Sequence, residues 1–254
     1  MVEIPPEVQR RLMGLIPVER IRAVQIPRPS ADVLRRYQAL EDPTPLVSDV
    51  LDALGINGTI AASVLRPVTP GKCIVGPAVT LRYAADRVQP ARGHVDGLRP
   101  GLADRDAYAV AEPGDVAVFD AGGREISCMG GLSTTVAHQR GIAASIVWGG
   151  VRDVATMRKF EFPVWAAHIT PRTGKFRLEA VELNGPVDCA GVQVRPGDLV
   201  VADDTGVVIV PSERVEQVLE LAEAMAARET RLVALLEQGA DLAALSRALP
   251  PERW

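Results

Sequence analysis

Val116-Ala117-Val118-Phe119-Asp120, Ala143-Ala144-Ser145-Ile146-Val147-Trp148 and Pro163-Val164-Trp165-Ala166-Ala167 are three short apolar runs, and their spacing decides the fold. Between the first two lie a glycine-bearing loop over 121–131 and a segment at helical spacing over 132–140. Between the second and third lie a loop over 149–152 and a helix over 153–160. Strand, glycine loop and helix, repeated, specify parallel strands joined by crossover helices, an α/β layer structure.

Three Pro-Gly turns flank this unit: Pro70-Gly71, Pro113-Gly114-Asp115 and Pro196-Gly197-Asp198. Each stands before a β-rich run and is expected to launch a strand. The segment 84–112 mixes Arg, Asp, Gly and Pro and reads as a loop or insertion with one helix ending near Glu112. After Gly185 the pattern becomes strand-turn-strand over 187–194 and 199–210. Ser212-Glu213-Arg214-Val215 then opens a long helix to 237, followed by a short one over 241–248. On the N-terminal side, apolar residues at 47, 50, 51 and 54 mark a helix that stops at Gly55, and Ser30 caps a helix over 31–40. The expected organisation is an N-terminal helical extension over 1–43, an α/β domain over 44–211 and C-terminal helices over 212–254.

With 254 residues, 47% hydrophobic and 24% charged, the chain has the composition of a globular protein rather than a disordered one. Its 28 Lys and Arg against 32 Asp and Glu leave a net charge of −4, so there is no basic field for nucleic acid or an anionic membrane surface. Cys73, Cys128 and Cys189 show no CxxC spacing and read as reduced apolar filler. The N-terminal MVEIPPEVQRRLMG lacks the basic and apolar regions of a signal peptide, and no apolar run approaches membrane-spanning length. The expectation is a cytoplasmic protein acting on small molecules.

Two loops carry candidate chemistry. Cys128-Met129-Gly130-Gly131-Leu132-Ser133 presents backbone N–H groups at a helix start, which suits a carboxylate or phosphate. Gly149-Gly150-Val151-Arg152-Asp153 ends a strand with a planar guanidinium beside hard carboxylate oxygens of the kind Mg²⁺ or Mn²⁺ prefers. A plainer alternative places Asp153 in the first turn of its helix and pairs Arg152 with a surface carboxylate. His94, His138 and His168 show no metal-site spacing; His138 falls mid-helix, while His168 follows a strand end and could approach a crevice. Asp203-Asp204-Thr205-Gly206 reads as a hairpin turn, and no GxGxxG fingerprint is present.

Gly76-Pro77-Ala78-Val79-Thr80, Pro113-Gly114-Asp115-Val116, Gly130-Gly131-Leu132, Gly149-Gly150-Val151-Arg152-Asp153, Phe162-Pro163-Val164 and the run 196–208, taken in order, resemble the RraA-like family. That family includes regulator of ribonuclease activity A and the 4-hydroxy-4-methyl-2-oxoglutarate aldolases. The resemblance implies a swivelling β/β/α-type single domain with helical extensions, assembled as a homotrimer or homohexamer. It also implies a divalent-metal-dependent lyase that releases pyruvate from a small 2-oxo acid, with oxaloacetate decarboxylation as a companion activity. By position, Asp153 would hold the metal, Arg152 would bind the substrate and stabilise its enolate, and Gly130, Gly131, Leu132 and Ser133 would bind the substrate carboxylate. Gly131, separated by twenty residues from Arg152-Asp153, stands where the aldolases tend to carry an acidic residue. Glycine there matches the regulator branch, so a regulator acting by contact with a protein partner is the alternative.

Overall fold

The structure is a computed structural model that describes residues 4–248. Its strands are β1 (Thr59–Ala61), β2 (Arg66–Pro67), β3 (Ile74–Ala85), β4 (Val116–Asp120), β5 (Ser127–Met129), β6 (Ala144–Val151), β7 (Val164–Ile169), β8 (Leu178–Leu183), β9 (Val187–Cys189), β10 (Val192–Val194), β11 (Leu199–Ala202) and β12 (Gly206–Val210). The helices are α1 (Pro6–Gln9), α2 (Ala31–Gln38), α3 (Pro43–Ala53), α4 (Pro90–Val95), α5 (Asp104–Val110), α6 (Gly131–Gln139), α7 (Val154–Lys159), α8 (Val215–Glu237) and α9 (Leu242–Ala248).

Ten strands form one mixed sheet in the order β1-β12-β11-β3-β4-β6-β7-β2, with β5 added to β6 and β8 to β3. Its centre, β3-β4-β6-β7, is parallel, as the repeated strand-loop-helix pattern requires. The three strands launched by Pro-Gly turns lie side by side, β3 running parallel to β4 and antiparallel to β11. Gly71, Gly114 and Gly197 adopt φ of +76°, +91° and +91°, a region that costs an L side chain but not glycine. In two of these turns the following aspartate folds back onto the backbone. Asp115 accepts from the Glu112 N–H at 2.8 Å and Asp198 from the Arg195 N–H at 2.7 Å.

Both faces of the central sheet are covered, which is why its strands are continuously apolar rather than alternating. In β4, Ala117 and Phe119 face one core with Tyr108, Ala137, Val147 and Met157. Val116 and Val118 face the other, with Ile146, Trp165, Val194 and Val200. A third cluster joins Tyr37, Val47, Leu51, Val208 and Val218, packing α2, α3 and the first half of α8 on the β11-β12 end. Each large side chain so buried contributes about 1.5–3 kcal/mol. The N-terminal arm is tied in as well: Arg28 makes a two-pronged contact with Asp115 (3.0 and 2.8 Å), and the Tyr37 hydroxyl donates to the Val215 carbonyl.

Three expectations are corrected. Gly149, Gly150 and Val151 belong to β6 rather than a loop. Their glycines serve close approach: a Cβ on Gly149 would sit 2.8 Å from Ala121 Cβ, and one on Gly150 2.9 Å from the Ile126 backbone, where the chain enters β5. The segment 84–112 contains two helices, α4 and α5, and its first residues extend β3, whose partner β8 sits far along the sequence. Cys128 and Cys189 are buried as expected, but Cys73 is exposed. Among the described residues, no helix is long and apolar enough to cross a membrane.

Candidate functional site

Parallel strands deliver their following loops to one edge of the sheet, where crevices form. β5 pairs with the end of β6, through Ser127↔Gly150 and Met129↔Val151. That pairing brings the start of α6 beside the start of α7. Gly130, Gly131, Leu132, Ser133, Arg152 and Asp153 accordingly line one cleft of about 310 Å³. This volume lies at the small end of the roughly 300–1,000 Å³ common for ligand sites and suits a compact organic acid.

Asp153 has φ +56° and ψ +41°, a left-handed backbone that is costly for a non-glycine residue and persists only where the surroundings impose it. It precedes α7 rather than forming its first turn, and its side chain does not cap that helix. Instead Oδ2 accepts the Gly131 N–H at 2.7 Å, linking the two loops, and lies 3.7 Å from Arg152 Nε. Among the described residues the ion-pair partner of Arg152 is its neighbour Asp153, itself half exposed, rather than a carboxylate elsewhere on the surface. Gly130 is required by this contact, because a Cβ there would sit 2.6 Å from Asp153 Oδ2. Gly131 does not have positive φ, and a Cβ on it would meet Thr156 Oγ1 at 3.1 Å and the Asp153 side chain at 3.4 Å.

The expected amide cradle is thereby modified. The Gly131 N–H already serves Asp153, leaving the Leu132 and Ser133 amides, in the first turn of α6, with no acceptor among the described residues. These N–H groups and the Arg152 guanidinium are donors of the kind a carboxylate accepts.

The part of the lining contributed by α5 was not legible in the sequence. Asp104 and Asp106, two residues apart at the start of α5, are both buried. Asp106 accepts backbone N–H groups from Met13 (2.7 Å), Leu15 and Ile16 (2.9 Å), which fastens the N-terminal arm so that Leu15 lines the cleft. Asp104 also lines the cleft, and its Oδ2 is buried without a hydrogen-bond partner among the described residues. Burial pushes the Asp104 carboxyl above the ordinary carboxylate range, only partly offset by the Ser133 hydroxyl and by Arg105. Cys128, at the same cleft, is a thiol pushed up to about 12, chiefly by burial, and so is unsuited to nucleophilic work.

Other candidates lie elsewhere. His94 meets the Phe176 ring edge-on, His138 stacks on Phe160, and His168 Nε2 lies 3.0 Å from the Gly123 carbonyl. None lines this cleft, including His168, which the sequence allowed near a crevice. Asp203 forms the expected turn and holds the start of α3 through the Thr44 hydroxyl at 2.7 Å.

Among the described residues, no group of three His, Cys, Asp or Glu side chains gathers as a closed metal cage. Asp153 still fits Mg²⁺ or Mn²⁺ in another way. Its side chain is 47% exposed at the cleft and its Oδ1 has no partner among the described residues. One hard carboxylate, completed by waters and substrate oxygens, is a usual Mg²⁺ donor set.

The fold and cleft together define an open mixed α/β sheet with a small polar-lined cleft at the ends of its parallel strands. Residues 44–209 match the model of the RraA-like family (Aldolase/RraA), and the chain belongs to that family. A Halalkalibacterium halodurans protein named "Putative 4-hydroxy-4-methyl-2-oxoglutarate aldolase" is 34% identical over 193 residues, covering 76% of this chain and 82% of that protein. Protein DlpA of Legionella pneumophila is 32% identical over 201 residues, 77% of this chain but 30% of DlpA, so the chain spans less than a third of that relative. The crystal structure of Streptomyces coelicolor RraAS2, described as an unusual member of the RNase ES inhibitor RraA family, superposes with a TM-score of 0.67 at 27% identity, over 80% of this chain and 96% of that one.

Proposed function

We propose that the protein is a divalent-metal-dependent carbon–carbon lyase that releases pyruvate from a small 2-oxo acid, of the aldolase or oxaloacetate decarboxylase type. The observation that carries this reading is the joining of Arg152 and Asp153 to the start of α6 in one small cleft, where donors for a carboxylate and a free carboxylate oxygen for a metal stand together. The aldolase names among the relatives support it.

The substrate carboxylate is received by the Leu132 and Ser133 amides. The Arg152 fork takes the 2-oxo oxygen, where negative charge develops as the C–C bond breaks. Asp153, oriented by the Gly131 N–H, would hold Mg²⁺ or Mn²⁺; when bound, the metal supplies Lewis-acid polarisation of the 2-oxo group. Gly131 offers no side chain to take a proton from a substrate hydroxyl. Decarboxylation needs no such step, whereas retro-aldol cleavage does.

The test is pyruvate release with Mg²⁺ from oxaloacetate and from hydroxylated 2-oxo diacids, with faster release expected from oxaloacetate. Gly131→Asp, which needs no positive φ at 131 but requires the Thr156 hydroxyl to shift by a few tenths of an ångström, is expected to raise the aldolase-to-decarboxylase ratio in a variant whose melting temperature shows it folded. A second reading, a regulator acting by contact with a protein, is favoured by the glycine at 131 and by the likeness to RraAS2. Absence of pyruvate from every substrate, with Mg²⁺ or Mn²⁺, would select it.

A further inference from the structure

A carboxyl group in a protein interior usually finds donors for both oxygens, and one that does not calls for an explanation. Asp104 is such a group. It is 3% exposed, it lines the same cleft as Arg152 and Asp153, and its Oδ2 has no partner among the described residues. Its neighbour Asp106 shows what a purely structural carboxylate on this helix looks like, with three backbone N–H groups aimed at its two oxygens. No histidine lines the cleft. Lys175 does, but it is exposed and solvated, and the Cys128 thiol holds its proton too tightly to give it up readily.

We propose that Asp104 is the proton donor that quenches the enolate formed in this cleft, an inference that rests on the lyase reading above. When the C–C bond of the 2-oxo acid breaks, its electron pair becomes the C2–C3 double bond of enolpyruvate, with negative charge on the C2 oxygen. The Asp104 O–H bond then breaks and its proton forms the new C3–H bond, giving pyruvate. Asp104 is left as a carboxylate and is reprotonated from water. Decarboxylation and retro-aldol cleavage share this step, so it does not depend on the missing acid at 131.

The surroundings agree with an acid that keeps its proton. Burial raises the carboxyl, so the protonated form persists to higher pH than at the surface. The groups facing it are Arg105 and Tyr108 on α5, Ser133 on α6, Tyr83 on β3 and Cys128 on β5. Both tyrosines and the cysteine are themselves held neutral by burial, which leaves the Ser133 hydroxyl, the Arg105 charge and the backbone N–H groups of Asp104 and Arg105 to favour the carboxylate.

The reverse of the step provides the test. In D₂O with Mg²⁺, exchange of the pyruvate methyl protons is followed by ¹H NMR, while binding of oxalate, an enolpyruvate mimic, is measured by calorimetry. Asp104→Asn is expected to slow exchange by about 10²–10⁴-fold, the usual worth of a positioned acid or base, with oxalate binding unchanged. Wild-type exchange should fall as the pH drops through the Asp104 ionisation. Ser133→Ala, which removes a group favouring the carboxylate, should move that fall to higher pH and so keeps the test alive if Asp104→Asn does not fold. Equal exchange in wild type and Asp104→Asn, or an unmoved profile in Ser133→Ala, overturns the assignment and leaves the lyase reading standing. Neither exchange nor pyruvate release by wild type overturns both.

Discussion

The cleft has two walls built on different principles. One is made where β5 and β6 end and α6 and α7 begin, so its groups are delivered by regular structure: amides at a helix start, a guanidinium and a carboxylate at a strand end. The other is made by α5 and by the N-terminal arm that Asp106 pins against it, and its one reactive candidate is a buried carboxyl at the cleft lining. The first wall is half exposed and suited to capturing a charged ligand. The second holds a buried carboxyl and is suited to controlling a proton. Binding and proton transfer are thus assigned to separate parts of the chain, which single substitutions can pull apart.

The largest effect is expected on the first wall. Asp153→Asn keeps the size of the side chain but weakens a hard ligand to a neutral one, so turnover should fall by orders of magnitude while the melting temperature stays near that of wild type. Steady-state kinetics beside a thermal melt checks this, and a fully active variant would remove Asp153 from the metal role. Arg152→Lys is expected to be milder. It keeps the charge and loses the fork, so kcat and KM should both worsen, together by about 10–100-fold for a charged hydrogen bond of roughly 1.5–3 kcal/mol. Unchanged kcat/KM would return Arg152 to the surface.

The second wall separates by stability rather than turnover. Asp106→Asn leaves buried backbone donors facing an amide and should cost about 3 kcal/mol of folding free energy, with the arm and Leu15 released from the cleft. Asp104→Asn should behave oppositely. Because burial raises its carboxyl, the folded chain binds that proton more tightly than the unfolded chain, and wild-type stability is lost as pH rises from the ordinary aspartate range through the raised value. The asparagine variant escapes that loss, so its melting temperature relative to wild type should climb with pH. Parallel pH-dependent melts of wild type and Asp104→Asn decide it; a melting-temperature difference that does not change with pH would contradict the raised Asp104 carboxyl.

The two walls also differ in how legible they are in sequence. β4, β6 and β7, the Pro-Gly turns and the long helix α8 are written in local periodicity and turn chemistry, and the structure has them. Arg152 and Asp153 stood out because they follow an apolar strand. β5 did not, being three residues whose strand character exists only against the end of β6. Nor did β8, which pairs with a strand about a hundred residues earlier, Leu81↔Leu183. Asp104 and Asp106 look like ordinary acids in a polar stretch, because their burial arises from residues 13–16 and from α6, not from their neighbours in sequence. The Gly149-Gly150 pair misled for a related reason: glycine marks turns and also marks places where two backbones nearly touch.

The most direct measurement is pyruvate formation from oxaloacetate by the wild-type protein, above the rate without protein, with Mg²⁺, then with excess chelator, then with Mg²⁺ restored. The account predicts release that stops on chelation and returns with the metal. Full activity in excess chelator would contradict it.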